Sequence, residues 1–175
     1  MLQIRKAEKK DKQEVIELYK IVIEQIKDYT SNPEWIYGKY PKKEHIVNAI
    51  ESGELYVGMI DNKIVSSIVI NNKANEGYEN IKWKINTTYD NIYVIHLVVV
   101  NQDYKKQGFA TEMLKYAFDL AEKNSIKSIR LSLNTNNLAI EKIYTTYDFN
   151  YVDSMKVFIE DRGIISFKVY EKIFN

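Results

Sequence analysis

Residues 104–114 read YKKQGFATEML: two lysines, a glutamine and a glycine, running directly into a segment of helical spacing. Ala110, Met113, Leu114, Ala117 and Ala121 recur at that spacing to about Lys123. The run before the loop, IYVIHLVVV at 92–100, is continuously apolar, which predicts a central strand covered on both faces. A strand, a basic glycine loop and a helix start thus follow one another. The first turn of a helix leaves backbone N–H groups unpaired, and with the positive end of the dipole they favour an anion. Gly108 lets the backbone approach such an anion without a Cβ in the way. Ala110 keeps the first turn low, Thr111 adds a hydroxyl, and Lys105 and Lys106 add charge at the rim. The alternative is a glycine bend before a helix, with two solvated lysines.

Upstream, LQIRKA alternates as a first strand, and Asp11-Lys12-Gln13-Glu14 has capping-box spacing. Val15, Leu18, Tyr19, Val22, Ile23 and Ile26 then predict an amphipathic helix to about Tyr29. The loop TSNPEWIYGKYP carries Trp35, Tyr37 and Tyr40, aromatics that suit the wall of a pocket, a core seal or a homodimer contact. A second helix is expected over Lys43 to Ser52, stopped by Gly53, followed by a hairpin of LYVGMI and IVSSIVI around DNK. Residues 72–90 are the least periodic and read as loop with a short helix around Gly77 to Lys84.

Downstream, SIRLSLN alternates, with Ile129, Leu131 and Leu133 on one face and Ser128, Arg130 and Ser132 on the other. A short helix over Leu138 to Tyr147 and strands over Phe149 to Ile159 and Ile165 to Ile173 complete the chain. The order β-α-α-β-β-β-α-β-α-β-β predicts one α/β (α+β) domain over residues 1–175, with a mixed, mostly antiparallel central sheet flanked by helices.

Composition narrows the function. A chain of 175 residues with 45% hydrophobic and 28% charged residues can bury a real core. A formal net charge of +1 argues against a duplex nucleic acid partner. There is no cysteine, which excludes disulfides, thiolate nucleophiles and Cys-based zinc sites, and the only imidazoles are His45 and His96. No metal is expected. No apolar run reaches the length of a membrane span, so a soluble cytoplasmic protein without a membrane partner is expected.

Lys105-Lys106-Gln107-Gly108-Phe109-Ala110 resembles the cofactor loop of the GNAT N-acetyltransferases, written (R/Q)-x-x-G-x-(G/A), with Lys105 where Arg or Gln is usual. NLAIEKIYTTYDF at 137–149 is similar to the family's second signature: Asn137, Tyr144 and Phe149 match, and Asp148 replaces a glycine. VVVNQDY looks like the family's lead-in, and the element order agrees.

This resemblance implies that acetyl-CoA is the co-substrate and that Lys105, Lys106, Gln107, Gly108, Phe109, Ala110 and Thr111 cradle its pyrophosphate. It implies that the strand before the loop splays from its neighbour and that the main chain of Val98 and Val100 holds the pantetheine arm. Asn134 and Asn137 are candidate cofactor contacts or strand-end and cap residues. Tyr144 is implied as the acid that protonates the departing thiolate; a phenol, with a reference pKa of about 10, is protonated at neutral pH. Its helix face also reads as core packing, and Tyr147 is the runner-up.

His96 is the candidate base, set against a hydrogen-bonded core histidine. Trp35, Tyr37 and Tyr40, with Trp83 and Tyr89 added, are candidate acceptor contacts. The implied activity is acetyl transfer to a primary amine on a small molecule or peptide, in the EC 2.3.1 class. The alternative is a non-catalytic acyl-CoA-binding module. A nucleotide-binding enzyme is disfavoured, since neither G-x-x-x-x-G-K-(S/T) nor G-x-G-x-x-G occurs.

Overall fold

The computed structural model describes residues 1–27, 35–135, 138–160 and 163–174. Among the described residues, seven strands and four α-helices follow in the expected order: β1 (Gln3–Lys6), α1 (Lys12–Lys27), α2 (Lys43–Glu51), β2 (Leu55–Ile60), β3 (Lys63–Asn71), β4 (Ile92–Val100), α3 (Phe109–Lys123), β5 (Ser128–Asn134), α4 (Leu138–Thr146), β6 (Asn150–Ile159) and β7 (Gly163–Ile173). The strands form a mixed, mostly antiparallel sheet in the order β1-β2-β3-β4-β5-β7-β6. The chain divides into two compact units, one of residues 1–70 and 96–118, the other of residues 71–95 and 119–175.

In the first unit, α1 and α2 present their apolar stripes to one core. Val15, Leu18, Tyr19 and Val22 of α1 and Ile46, Ala49 and Ile50 of α2 are buried there with Leu55, Val57, Val69 and Val99. Full burial of side chains of this size stabilises by about 1.5–3 kcal/mol each. The start of α1 differs from the expected capping box. Asp11 instead closes a 3-10 turn at Lys9–Asp11, where its Oδ2 accepts from the Glu8 N–H at 2.8 Å. Glu14 is spent elsewhere, its Oε1 accepting from the Ile64 N–H of β3 at 2.7 Å.

Helix α1 ends at Lys27, and the expected extension to Tyr29 lies outside the described residues. The β2–β3 hairpin turns on Asp61 and Asn62, both at positive φ (48° and 63°), the two-residue turn whose twist suits an antiparallel pair. Gly58 beside it is a packing requirement. A Cβ there would lie 2.2 Å from Ser66 Oγ and 2.9 Å from Leu2 Cδ2.

In the second unit, β5 pairs antiparallel with β7 and β7 with β6, while the parallel ladder of β4 with β5 covers only Ile92–Val94 against Ser128–Arg130. Tyr78, Ile81, Ile92, Val94, Met155, Phe167 and Val169 form its core. The alternation of β5 does not separate a wet face from a dry one. Ser128 and Arg130 are as buried as Ile129 and Leu131, because Glu171 of β7 meets them inside. Glu171 Oε1 accepts from Arg130 Nε at 2.8 Å and Ser128 Oγ at 3.0 Å, and Oε2 accepts from the Lys84 N–H at 2.8 Å.

The aperiodic segment wraps this pair through short 3-10 turns at Tyr78–Asn80 and Tyr89–Asn91 in place of the expected helix. Trp83 lies against the Arg130 guanidinium, 4.3 Å from its ring centroid, and Tyr89 lies 6.0 Å away. These two half-buried rings therefore flank a buried cation, and with Arg130 they line a cavity.

Candidate active site

Strand β4 is less enclosed than its apolar run implies. Ile92, Val94, Ile95 and Val99 are buried, but His96, Leu97, Val98 and Val100 are only half-buried. Leu97 stands at φ +50°, left-handed in mid-strand, and its carbonyl accepts from the Tyr19 hydroxyl at 2.7 Å. Tyr19 also bonds Ser67 Oγ at 3.1 Å, and burial pushes its phenol well above the ordinary tyrosine range.

Past β4, Asn101 caps a 3-10 turn over Gln102–Tyr104 by accepting the Asp103 N–H at 3.0 Å. Lys106 (φ +62°) and Gly108 (φ +81°) then take left-handed conformations and α3 begins at Phe109. The Glu112 N–H donates to the Gly108 carbonyl at 3.0 Å, so Gly108 is the N-cap. The amides of Gly108, Phe109, Ala110 and Thr111 are those that an α-helix cannot satisfy internally. A Cβ built on Gly108 meets nothing within 4 Å, so the space in front of the loop is open. Lys105, Lys106 and Gln107 are exposed around it.

This arrangement can receive a polyanion on backbone amides, with cations at the rim. The Phe109 ring is buried, 6.3 Å from that of Tyr104, while its amide lies in the first turn of α3.

The aromatic residues of the α1–α2 loop divide. Trp35 is half-buried against the core, its ring 6.0 Å from Tyr19, and Tyr40 is half-buried, 5.8 Å from His45. Tyr37 is 52% exposed and is the one presented to solvent.

In the second unit, Tyr144 is buried on α4, edge-on to Phe149 at 5.4 Å. Asn134 is half-buried at the end of β5, in register with Phe167, and Asn137 lies outside the described residues. Asp148, where the family signature has glycine, stands at φ +64°. It keeps the left-handed turn that ends α4, with the Phe149 N–H donating to the Tyr144 carbonyl at 3.2 Å.

One turn before Tyr144, Glu141 binds Lys168 Nζ at 2.9 and 3.0 Å and accepts the Tyr170 hydroxyl. These bonds hold the Glu141 carboxyl below the usual range, and burial with the neighbouring carboxylate pushes the Tyr170 phenol up. The clamp on α4 went unread in the sequence. Its partners on β7 lie 27 and 29 positions away, beyond any local spacing.

The sequence model of the acetyltransferase (GNAT) family matches residues 13–149. The chain belongs to this family. Among solved structures it is similar to a GNAT-family acetyltransferase from Streptococcus agalactiae 2603, with TM-score 0.81 and 20% identity over 99% of this chain and 96% of that one. It is also similar to one from Listeria monocytogenes 4b F2365, with TM-score 0.77 and 19% identity over 99% and 95%. A third, yncA of Salmonella typhimurium, was solved with its cofactor acetyl-CoA and gives TM-score 0.73 and 13% identity over 100% and 95%. At these identities the likeness is one of fold. No curated protein matches the sequence. Both signature regions of the GNAT acetyltransferase lie within the matched span.

Proposed function

We propose that the chain acts as one N-acetyltransferase domain, moving the acetyl group of acetyl-CoA to a primary amine on a small molecule or peptide by direct attack. The observation that carries this reading is the Gly108 N-cap: four amides that the helix cannot satisfy internally and open space beside exposed lysines, in a chain of the GNAT family. Acetyl-CoA supplies the activated thioester. The amides of Gly108 to Thr111 hold its pyrophosphate, with Lys105, Lys106 and Gln107 at the rim, and the main chain of Val98 and Val100 holds its arm. Tyr144 carries the proton for the departing thiolate on its hydroxyl, His96 takes the proton from the amine, and Tyr37, with Trp35 and Tyr40 behind it, faces the acceptor. Asn134 and Asn137 are the further cofactor contacts of this reading. Since the sequence has no cysteine, no cysteinyl acyl-enzyme intervenes. Among the described residues no helix is long and apolar enough to cross a membrane.

The alternative, an acyl-CoA-binding module without turnover, drew on Asp148 and Lys105. Asp148 keeps a glycine-like φ of +64°, so this departure preserves the backbone at the end of α4 and removes one ground for the alternative.

The experiment is release of free CoA from acetyl-CoA over a broad amine panel, read with a thiol reagent to which this cysteine-free sequence is silent. Release is expected with at least one amine, and Tyr144→Phe should lose it while still binding CoA. CoA binding with no release from any amine overturns the transfer reading.

A further inference from the structure

The loop that leads to Gly108 is costly to hold. Two residues within three positions, Lys106 and Gly108, are left-handed, and a non-glycine residue in that region is disfavoured by the contact of its Cβ with the following carbonyl. At its far end the loop is held by α3. At its near end it rests on Asn101, which is buried and polar.

Asn101 is fixed from two sides. Its N–H donates to the Val65 carbonyl of β3 at 2.9 Å. Its Oδ1, besides accepting from Asp103, accepts from Gln25 Nε2 at 3.0 Å. The other end of the same Gln25 amide, Oε1, accepts the Gln102 N–H at 3.0 Å. One side chain of α1 therefore both donates to the buried Asn101 side chain and accepts from the next main-chain N–H, as a paired strand would. The turn continues from there, with Tyr104 N–H donating to the Asn101 carbonyl at 2.9 Å and Lys105 N–H to the Gln102 carbonyl at 3.1 Å. Six residues earlier on α1, Tyr19 holds the left-handed Leu97 of β4 in the same manner. Helix α1 thus braces the segment from Leu97 to Gly108 at two places, the left-handed Leu97 and the turn at Asn101–Gln102 that leads to Lys106 and Gly108.

We infer that Gln25 is a positioning residue for the cofactor loop. It touches no reacting atom; by clamping Asn101 and Gln102 it keeps the loop from Lys105 to Gly108 in its receiving conformation before any ligand arrives. Without the clamp, part of the binding free energy of CoA is spent on ordering the loop, and affinity falls by the fraction of chains in which the loop is formed. The inference rests on the reading that this loop binds CoA.

The test is Gln25→Met, which keeps length and helix propensity and removes both bonds. CoA affinity is measured by calorimetry, loop opening by amide hydrogen exchange and global stability by thermal unfolding. A loss of two bonds of ordinary net strength predicts CoA binding weaker by about 5- to 20-fold. Exchange should quicken over 102–108 and not in the body of α3. In turnover, KM for acetyl-CoA should rise while kcat stays within about twofold. Wild-type affinity in Gln25→Met overturns the inference and leaves the CoA reading intact. So does weaker binding that merely follows a lower melting temperature, with no exchange change confined to the loop. If the wild-type protein itself does not bind CoA, the functional reading fails and the inference with it.

Discussion

Arg130 Nε donates to Glu171 Oε1 at 2.8 Å, and the two side chains are 3% and 0% exposed. The pair is fully withdrawn from water and is completed by Ser128, by the Lys84 amide and by the Ile85 carbonyl, which accepts from Arg130 Nη2 at 2.7 Å. Removing one charge strands the other. Arg130→Met should therefore destabilise the protein by about 3–5 kcal/mol, as should Glu171→Leu. The double variant should lose clearly less than the sum of the two, because no unpaired charge remains. Urea unfolding of the three variants checks this, and additive losses would show that the two charges do not depend on each other.

That pair also shows what a sequence hides. Periodicity marked α1, α3 and β5, since a buried stripe on a helix or strand repeats with the geometry of the element, and a turn signal marked the β2–β3 hairpin. Periodicity names a face, however, and not what lies opposite. Arg130 and Ser128 read as the polar face of β5, and only the register that brings Glu171 beside them reveals a buried network. Residues 72–90 gave no pattern because 3-10 turns of three residues are too short to repeat one. Their aromatics followed a cation supplied by another strand. At the site, Gly108 was legible because its chemistry is local: a loop, a cap and a helix start in one short stretch. Gln25 was not, since its partners lie 76 and 77 positions away.

Gly108→Glu separates binding from folding. The new Cβ would meet no atom within 4 Å in the free protein, so the folding cost expected is that of a left-handed non-glycine residue, about 1–2 kcal/mol. In the proposed complex the same side chain fills the phosphate space and adds a like charge. CoA affinity should fall by at least about a hundredfold, near 2.7 kcal/mol. Lys106→Ala removes only an exposed rim charge and should cost about three- to fivefold, in keeping with the small worth of exposed ion pairs. Calorimetric titration with CoA gives both numbers, and equal losses would move the binding weight from the backbone back to the lysines.

Asp148 tests whether the departure from the family's glycine is tolerated through backbone conformation. At φ +64°, aspartate is among the few non-glycine residues that adopt the left-handed region readily. Its 85% exposed carboxylate approaches Lys172 Nζ at 3.4 Å, a contact that is worth little. Asp148→Gly should leave stability within about 1 kcal/mol of the wild type, since relief of strain is offset by the freer unfolded chain. Asp148→Val, branched at Cβ, should cost about 1–3 kcal/mol. Equal urea midpoints for the two variants would show that the turn does not depend on φ at this position.

The acid limb of stability should depend on Asp11. Its carboxylate takes two bonds from Arg5, at 2.6 and 2.9 Å, and one from the Glu8 N–H at 2.8 Å. The Arg5 guanidinium first, and the Glu8 amide after it, hold the Asp11 carboxyl below the usual carboxylate range against the opposing effect of burial. A group whose folded pKa lies below its unfolded value binds fewer protons in the native state, so stability rises with pH across that interval. The contribution is fully present above the unfolded value of about 3.9 and is lost as pH falls through the lower folded value. Asp11→Asn should accordingly be less stable than the wild type at pH 7, and the gap should narrow as pH is lowered from about 4 towards 2. Glu141 is depressed in the same direction by Tyr170 and Lys168, so the variant keeps part of the acid slope. Urea unfolding at pH 7, 4 and 3 decides the matter: a gap of constant size would mean that Asp11 acts through packing and the shape of the turn, and not through its charge.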